Sequence, residues 1–216
     1  MKFKTAIILP LKESFSNNGF GAVSVWVNDY IKYSQYKDNI IFCKKLSKKN
    51  KYLTTNVNPI SVDSKFYSNL KYIKKISKEI LKKNINLVEI HNRPEYAHFL
   101  IKNHPHIKIN LIFHNDPNKI RLSNKVNHKI LLLENCNKII FVSNWVKSRF
   151  FVDLNLKHKN NTEVIYNFIK PLKRFPNKKK IIIFSGKLNK SKGFHIFGNS
   201  IIKVLDKYKD WNAEDM

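Results

Sequence analysis

The stretch Lys178–Leu205, KKKIIIFSGKLNKSKGFHIFGNSIIKVL, contains a strand pattern, a turn and a helix pattern in succession. Its four apolar residues Ile181–Phe184 predict a short buried strand, because Ser185 and Gly186 interrupt the run directly afterwards. After Gly193 the apolar residues return at helical spacing, at Phe194, Phe197, Ile201, Ile202 and Leu205. The stretch therefore predicts one β-α unit.

The turn inside this unit is basic, with Lys187, Lys190 and Lys192 ahead of Gly193. The free N–H groups and the positive dipole end of the following helix would face the same point as these lysines. The pattern favours an anion site. A solvated lysine turn in a lysine-rich protein is an equally open interpretation of this stretch alone.

The composition is that of a globular protein, with 43% hydrophobic and 12% aromatic residues among 216. That length suits one full domain and the start of a second. No apolar run approaches the roughly 18 residues that cross a bilayer, and the apolar part of MKFKTAIILPLKES is too short for a signal peptide. Cys43 and Cys136 share no CxxC spacing and are expected to be buried, reduced thiols of a cytoplasmic protein.

The net charge of +26 favours an anionic partner: nucleic acid, an anionic membrane surface or a phosphorylated substrate. AT-rich coding is an alternative source of this lysine-rich composition, because the chain is also crowded with Asn and Ile. Nucleic acid is the less favoured partner, since most aromatic residues sit within apolar runs and no nucleic-acid-binding motif occurs.

The N-terminal segment predicts a strand over Lys4–Leu9, a loop with Gly19 and Gly21, and a helix over Ala22–Tyr33. This order is typical of the opening of a nucleotide-binding α/β fold. The glycines give only G-x-G, because Ser24 stands in the place of a third glycine, so the motif is weak. Gly at these positions would still let the backbone approach a ligand closely.

The segment Lys65–Asn84 predicts an amphipathic helix. Its apolar residues are Phe66, Leu70, Ile73, Ile76 and Ile80, and its lysines are Lys71, Lys74, Lys75, Lys78, Lys82 and Lys83. A solvated lysine face over a packed apolar face is the ordinary interpretation. A basic helix that rests on anionic lipid, placing the protein at the inner face of the cytoplasmic membrane, is the alternative.

Two predicted strands end in the same pair of residues. Leu87–Ile90 leads into His91 and Asn92, and Ile107–Phe113 leads into His114 and Asn115. Open α/β sheets bind ligands at the carboxyl ends of their strands, so the two pairs are candidate cleft residues. A structural hydrogen bond is the alternative for each histidine.

The remaining patterns continue the alternation of strands and helices, with strands over Asn39–Phe42, Lys138–Val142 and Glu163–Tyr166. Ser143 is expected to cap a helix over Asn144–Phe151. This alternation predicts a mainly parallel sheet with helices on both faces. No D-x-D sequence occurs, so a metal held by that motif is not expected, and His104-x-His106 fits a solvated loop better than a metal site.

The order of these patterns resembles that of the retaining glycosyltransferases of the GT-B fold, family 4, and the resemblance covers the whole chain. Five segments carry it: Lys4–Leu9 with Gly19-Phe20-Gly21, Phe113-His114-Asn115-Asp116, Phe141-Val142-Ser143, Val164-Ile165-Tyr166-Asn167, and Ile183-Phe184-Ser185-Gly186-Lys187-Leu188 with Lys192-Gly193. The resemblance implies an α/β, Rossmann-like doubly wound parallel sheet as the acceptor-side domain (1–166). A linker (167–180) and the first β-α unit of a Rossmann-like donor domain (181–216) would follow.

The resemblance also implies roles for single residues. Lys187 and Lys192 would hold the diphosphate of a nucleotide-sugar donor, helped by N–H groups near Gly19 and Gly21. His114 would contact the donor sugar as the catalytic residue. Further candidate cleft residues are His91, Asn92, Asn115 and Asn167. The acceptor would be a glycan or a lipid-linked molecule of cell-envelope synthesis, such as a lipopolysaccharide precursor, and no cofactor is implied.

Two departures from the family pattern matter. Lys187 stands where the family has Arg, which keeps the charge but loses the bidentate fork. The family's donor domain also continues through further strands and a pair of glutamates, so the chain is expected to be truncated and a poor catalyst. We expect the segment beyond Ile181 to pack on the first domain or to be loosely ordered, and a non-catalytic remnant of the fold is the alternative.

Overall fold

The computed structural model describes residues 4–17, 21–34, 39–46, 49–60, 68–155, 159–168, 174, 177–186 and 188–215. The chain divides into two compact units, Met1–Phe168 and Ile169–Met216. The roles of these segments as acceptor-side and donor domains stay predictions.

The first unit is built on one parallel sheet of seven strands. Its strands are β1 (Thr5–Ile8), β2 (Ile40–Lys44), β3 (Val57–Ile60), β4 (Leu87–His91), β5 (Lys108–Phe113), β6 (Lys138–Phe141) and β7 (Thr162–Val164). Its helices are α1 (Ala22–Tyr33), α2 (Asn69–Lys82), α3 (Pro94–Asn103), α4 (Val126–Asn135) and α5 (Asn144–Phe151). The strand order is β3-β2-β1-β4-β5-β6-β7, so the order reverses between the neighbouring strands β1 and β4.

Both faces of this sheet carry a hydrophobic core, because successive residues of a strand point to opposite faces. On one face, Ala6 and Ile8 pack in a cluster to which α2, α3, α4 and α5 contribute. On the other face, Ile7 and Leu9 pack with Val27 and other residues of α1. Helices on both faces of a parallel sheet confirm the predicted doubly wound α/β architecture.

Helix α2 buries Ile73, Ile76 and Ile80 as predicted, but the rest of its apolar face differs from the prediction. Tyr72 is fully buried, whereas Leu70 is 52% exposed and the prediction that it belongs to the apolar face is wrong. The reason is angular: Tyr72, Ile76 and Ile80 recur at helical spacing around one arc, and Leu70 lies at its edge. Lys65 and Phe66 lie outside the described residues, and the lysines Lys71, Lys74, Lys75, Lys78 and Lys82 are exposed.

Strand β3 was not expected from the sequence, which reads as a polar stretch there. Pro59 stands within it and pairs in register with Cys43 of β2. A proline is tolerated at this position because β3 is an edge strand. It has a neighbouring strand on one side only, so a missing N–H on its other side removes no hydrogen bond of the sheet.

The second unit contains the strand β8 (Ile181–Phe184), a 3-10 turn at Lys190–Lys192, the helix α6 (Phe194–Lys207) and the strand β9 (Asn212–Asp215). Strand β9, which the sequence pattern did not predict, pairs with β8 in parallel. The prediction that β8 is buried is wrong, since Ile183 is 49% exposed. The ring of Phe184 contacts α6, lying 5.2 Å from the rings of both Phe194 and Phe197.

Two further observations concern the cysteines and the length of the helices. Cys43 and Cys136 are both free and buried, as expected, and burial raises the pKa of each thiol to about 12. Within the described ranges, no helix has the length and apolar character to span a bilayer.

Candidate functional site

A cavity of about 380 Å³ opens in the first unit where β1, β4 and β5 end. Its walls are formed by Pro10, Lys12, Glu13, Ala22, Val23, Trp26, Asn92, Arg93, His114, Asn115 and Asn167. The cavity therefore lies at the reversal of strand order, where ligands of open α/β sheets bind. Four candidate cleft residues, Asn92, His114, Asn115 and Asn167, are brought together here.

The two histidines that follow the strands form a hydrogen-bonded pair. His91 Nδ1 lies 2.9 Å from His114 Nε2, and the rings stack with their centroids 5.2 Å apart. Burial lowers the pKa of His114 to about 4, and burial together with His114 lowers that of His91 well below its usual range. Both rings are therefore neutral at pH 7.

Asn92 connects these strand ends through its own strained backbone. Its φ of 53° is in the left-handed region, where an asparagine is better tolerated than most residues. This conformation aims Oδ1 at the neighbouring strand end, where it accepts the N–H groups of His114 at 2.8 Å and Asn115 at 3.3 Å. One side chain thereby fixes the backbone that carries His114.

Trp26 of α1 covers the histidine pair. Its ring centroid lies 5.2 Å from that of His91 and 5.5 Å from that of His114. Phe168 lies 5.8 Å away on another side of the same indole. The sequence placed Trp26 among the apolar residues of a helix and gave no signal that it borders a cavity.

The N-terminus of α1 is occupied by a carboxylate. Glu13 Oε1 accepts the N–H of Ser24 at 2.9 Å, close to Gly21, which precedes the helix. A Cβ on Gly21 would lie 2.2 Å from Glu13 Oε1, so a larger residue at this position would displace the carboxylate end of the Glu13 side chain. Gly19, its partner in the sequence motif, lies outside the described residues.

Two cations also border the cavity, and the sequence motifs gave no sign of either. Arg93 donates from Nη1 to the carbonyl of Asn92 at 2.8 Å, while its buried Nε has no hydrogen-bond partner within the described ranges. Lys12 is exposed and makes no ion pair with any described residue. Apart from Glu13, the polar groups around the cavity are thus amides, histidine and cations.

A half-buried carboxyl of β4 lies beneath α1, two residues before His91. Glu89 of β4 accepts a long hydrogen bond of 3.5 Å from the Tyr30 hydroxyl. Burial raises the pKa of Glu89 to about 7, and the Tyr30 hydrogen bond opposes that shift.

The two lysines predicted to hold the diphosphate belong to the second unit. Lys187 lies outside the described residues, and Lys192 lies exposed in the 3-10 turn before α6. That turn is held by Asn189, whose Oδ1 accepts the N–H of Lys192 at 3.1 Å. The binding roles of Lys187 and Lys192 stay predictions.

In the described part of the chain, no cluster of three or more His, Cys, Asp or Glu side chains could hold a metal ion. His104 and His106, the pair considered from the sequence, have ring centroids 6.3 Å apart at right angles.

No family model matches the chain, and no curated protein does. Solved structures do match. The chain is similar to Anabaena Alr3699/HepE crystallised with UDP and glucose, at 13% identity and a TM-score of 0.66, over 100% of this chain and 62% of that one. A second HepE structure, with UDP, matches at 13% identity and a TM-score of 0.59, over 99% of this chain and 70% of that one.

A third similar structure is UDP-N-acetylglucosamine 2-epimerase from Rickettsia bellii. Its identity is 10% and its TM-score 0.50, over 99% of this chain and 62% of that one. The chain thus spans about 62% of the length of the first of these proteins. At this level of identity the likeness concerns the fold, and it confirms the predicted Rossmann-like sheet of a GT-B N-terminal domain.

Proposed function

We propose that the chain is the acceptor-side part of a glycosyltransferase that moves a sugar from a nucleotide-sugar donor to a glycan or lipid-linked acceptor of the cell envelope. The observation that carries the proposal is the hydrogen-bonded, neutral pair of His91 and His114, of which His114 borders a cavity at the strand-order reversal. The likeness to HepE, which was crystallised with UDP and glucose, supports a nucleotide-sugar as the ligand.

In this proposal His114 contacts the donor sugar, and Asn92 keeps it in place through the backbone. The indole of Trp26 offers a flat apolar surface to a sugar ring. Lys187 and Lys192 stabilise the charge that builds on the leaving diphosphate. N–H groups near Gly19 and Gly21 contribute as well, but Glu13 already accepts the N–H of Ser24, so its carboxylate limits the space for an anion at α1.

The binding step can be measured through Trp26. The chain has three tryptophans, and Trp145 and Trp211 are exposed, so the double variant Trp145→Phe, Trp211→Phe leaves Trp26 as the only indole. We expect UDP-glucose to change its fluorescence. In this background His114→Ala should weaken the affinity about tenfold, the effect of one lost hydrogen bond.

His106→Ala is the matched control, because it removes an exposed imidazole that does not line the cavity. Its affinity should equal that of the background. If neither UDP nor UDP-glucose at millimolar concentration changes the fluorescence, the proposed function fails. A protein that binds UDP-glucose but releases no glucose from it when cell extracts containing acceptors are added would be a non-catalytic remnant.

A lipid-linked acceptor would require the protein at a membrane, and we propose that the lysine face of Lys65–Asn84 supplies that contact. The side chains of Lys74, Lys75 and Lys78 are exposed on α2. Reversing all three charges to Glu should weaken binding to vesicles with anionic phospholipid by at least about tenfold, since each lysine near such a surface contributes about 1 kcal/mol. Co-sedimentation measures this.

Reversal of Lys102, Lys119 and Lys125 is the control, because these exposed lysines of the same unit change the net charge equally. Equal losses in the two triple variants would mean that only the net charge matters. Unchanged binding of the α2 variant would remove the membrane role of this helix.

A further inference from the structure

The two histidines differ in the surroundings of the ring nitrogen that lies outside their shared hydrogen bond, which is Nε2 in His91 and Nδ1 in His114. His91 is fully buried, and its Nε2 has no hydrogen-bond partner in the described part of the chain. His114 is only partly buried and borders the cavity. Its Nε2 is used by His91, so Nδ1 is the nitrogen that remains available to a ligand.

A single hydrogen bond between two neutral imidazoles has two possible directions. If His91 Nδ1–H donates to His114 Nε2, the buried Nε2 of His91 is a bare lone pair and His114 carries its proton on Nδ1. If His114 Nε2–H donates instead, His91 must carry its own proton on Nε2, as a buried N–H without an acceptor.

The first direction is favoured because of the burial of His91. Buried N–H groups without an acceptor are rarer in proteins than acceptors with an unused lone pair. The indole ring of Trp26, whose centroid lies 5.2 Å from that of His91 at an angle of 60°, offers no conventional acceptor atom.

We propose that His91 is a positioning residue that holds His114 in the Nδ1–H tautomer, so that the cavity presents a neutral N–H donor to an oxygen atom of its ligand. The tautomer follows from the contacts of the free protein. The identity of the ligand oxygen, a sugar hydroxyl or a phosphate oxygen, rests on the proposed function.

The consequence for recognition is a donor that carries no charge. A neutral donor binds a sugar hydroxyl without the additional attraction that a cation would give to a phosphate. Its direction is fixed at both ends, since Asn92 holds the backbone N–H of His114 while His91 holds the far side of the ring.

The test is a long-range ¹H–¹⁵N spectrum of the full chain with labelled histidine at pH 7, in which the two tautomers give distinct patterns. The spectrum of a His114→Gln variant assigns the His114 signals among the eight histidines. We expect His114 to be protonated on Nδ1. Protonation of His114 on Nε2, or a mixture of both tautomers, would overturn the proposal.

Two variants of His91 separate positioning from packing. His91→Gln keeps a side-chain N–H that can donate to His114 Nε2, and the Nδ1–H tautomer should persist. His91→Phe fills the space without a donor, and His114 should then shift to Nε2–H or to a mixture. An unchanged tautomer in His91→Phe would overturn the role of His91, and if that variant fails to fold, the wild-type spectrum still decides the tautomer.

Binding separates this inference from the proposed function. The affinity for UDP-glucose should fall about five- to tenfold in His91→Phe and recover in His91→Gln. The expected tautomer in a protein that binds no nucleotide-sugar would contradict the proposed function alone. Binding of UDP-glucose by a protein whose His114 carries its proton on Nε2 would contradict this inference alone.

Discussion

Replacing Asn92 by alanine is expected to lower the free energy of unfolding by about 2–4 kcal/mol and to disorder the end of β5. Two costs combine. Alanine in the left-handed conformation of Asn92 costs roughly 1–2 kcal/mol. The lost Oδ1 also leaves the N–H groups of His114 and Asn115 without their acceptor, a cost of about 1–3 kcal/mol when such groups are buried.

Asn84 is the matched control for this prediction. It has nearly the same backbone angle, with φ of 52°, but is exposed and its side chain serves no neighbouring strand. Asn84→Ala should lower the free energy of unfolding only by the cost of alanine in the left-handed conformation. Asn92→Gly should lower it only by the cost of the lost Oδ1 acceptor. Urea unfolding of the three variants measures both parts, and equal losses in Asn92→Ala and Asn84→Ala would contradict the bridging role of Asn92.

Glu89→Gln is expected to stabilise the protein increasingly as the pH rises, by about 2–3 kcal/mol at pH 8 relative to pH 4.5. Burial raises the pKa of Glu89 from its ordinary value to about 7, so the folded state binds this proton more tightly than the unfolded state does. Stability due to the protonated form is therefore complete below about pH 4.5 and is lost as the pH rises to about 7.

The measurement is the difference in unfolding free energy between Glu89→Gln and wild type across this range. Taking the difference cancels the opposite contribution of His91 and His114, whose lowered pKa values cost stability as the pH falls. Tyr30→Phe should enlarge the loss of stability, because the Tyr30 hydroxyl opposes the pKa shift. A difference that does not change with pH would show that Glu89 is solvated.

The sequence predicted elements whose boundaries are set by local chemistry. Helix α5 begins where expected because Ser143 accepts the N–H of Val146 at 3.2 Å. Strands β3 and β9 were missed because Asn58 and Pro59 interrupt β3 and because the residues of β9 (Asn212–Asp215) have poor strand propensity. Strand β3 forms because it pairs with β2, and β9 forms because it pairs with β8. No local sequence pattern indicates these pairings.

The site was predictable only as a set of strand ends. His91 and His114 could be expected near each other because adjacent parallel strands end at one edge of a sheet. Their hydrogen bond depends on register, which aligns His91 with Ile112 and leaves His114 two residues further along. Trp26, Glu13 and Arg93 reach the cavity through tertiary packing, and no spacing in the sequence indicates that.

The pairing of β1 with β4 also governs when the cavity can form during synthesis. Next to β1, the N–H of Lys4 is bonded to Asn86, 82 residues later, and β1 pairs with β4 directly beyond that point. On a ribosome, β1, α1, β2 and β3 emerge well before the strand that completes this side of the sheet. Such distant pairing makes folding slow, because loop closure must precede the contacts that compensate for it. The nascent chain therefore carries the open edge of β1 until β4 is released, and an unpaired strand edge is a surface that a chaperone can protect from pairing with other chains.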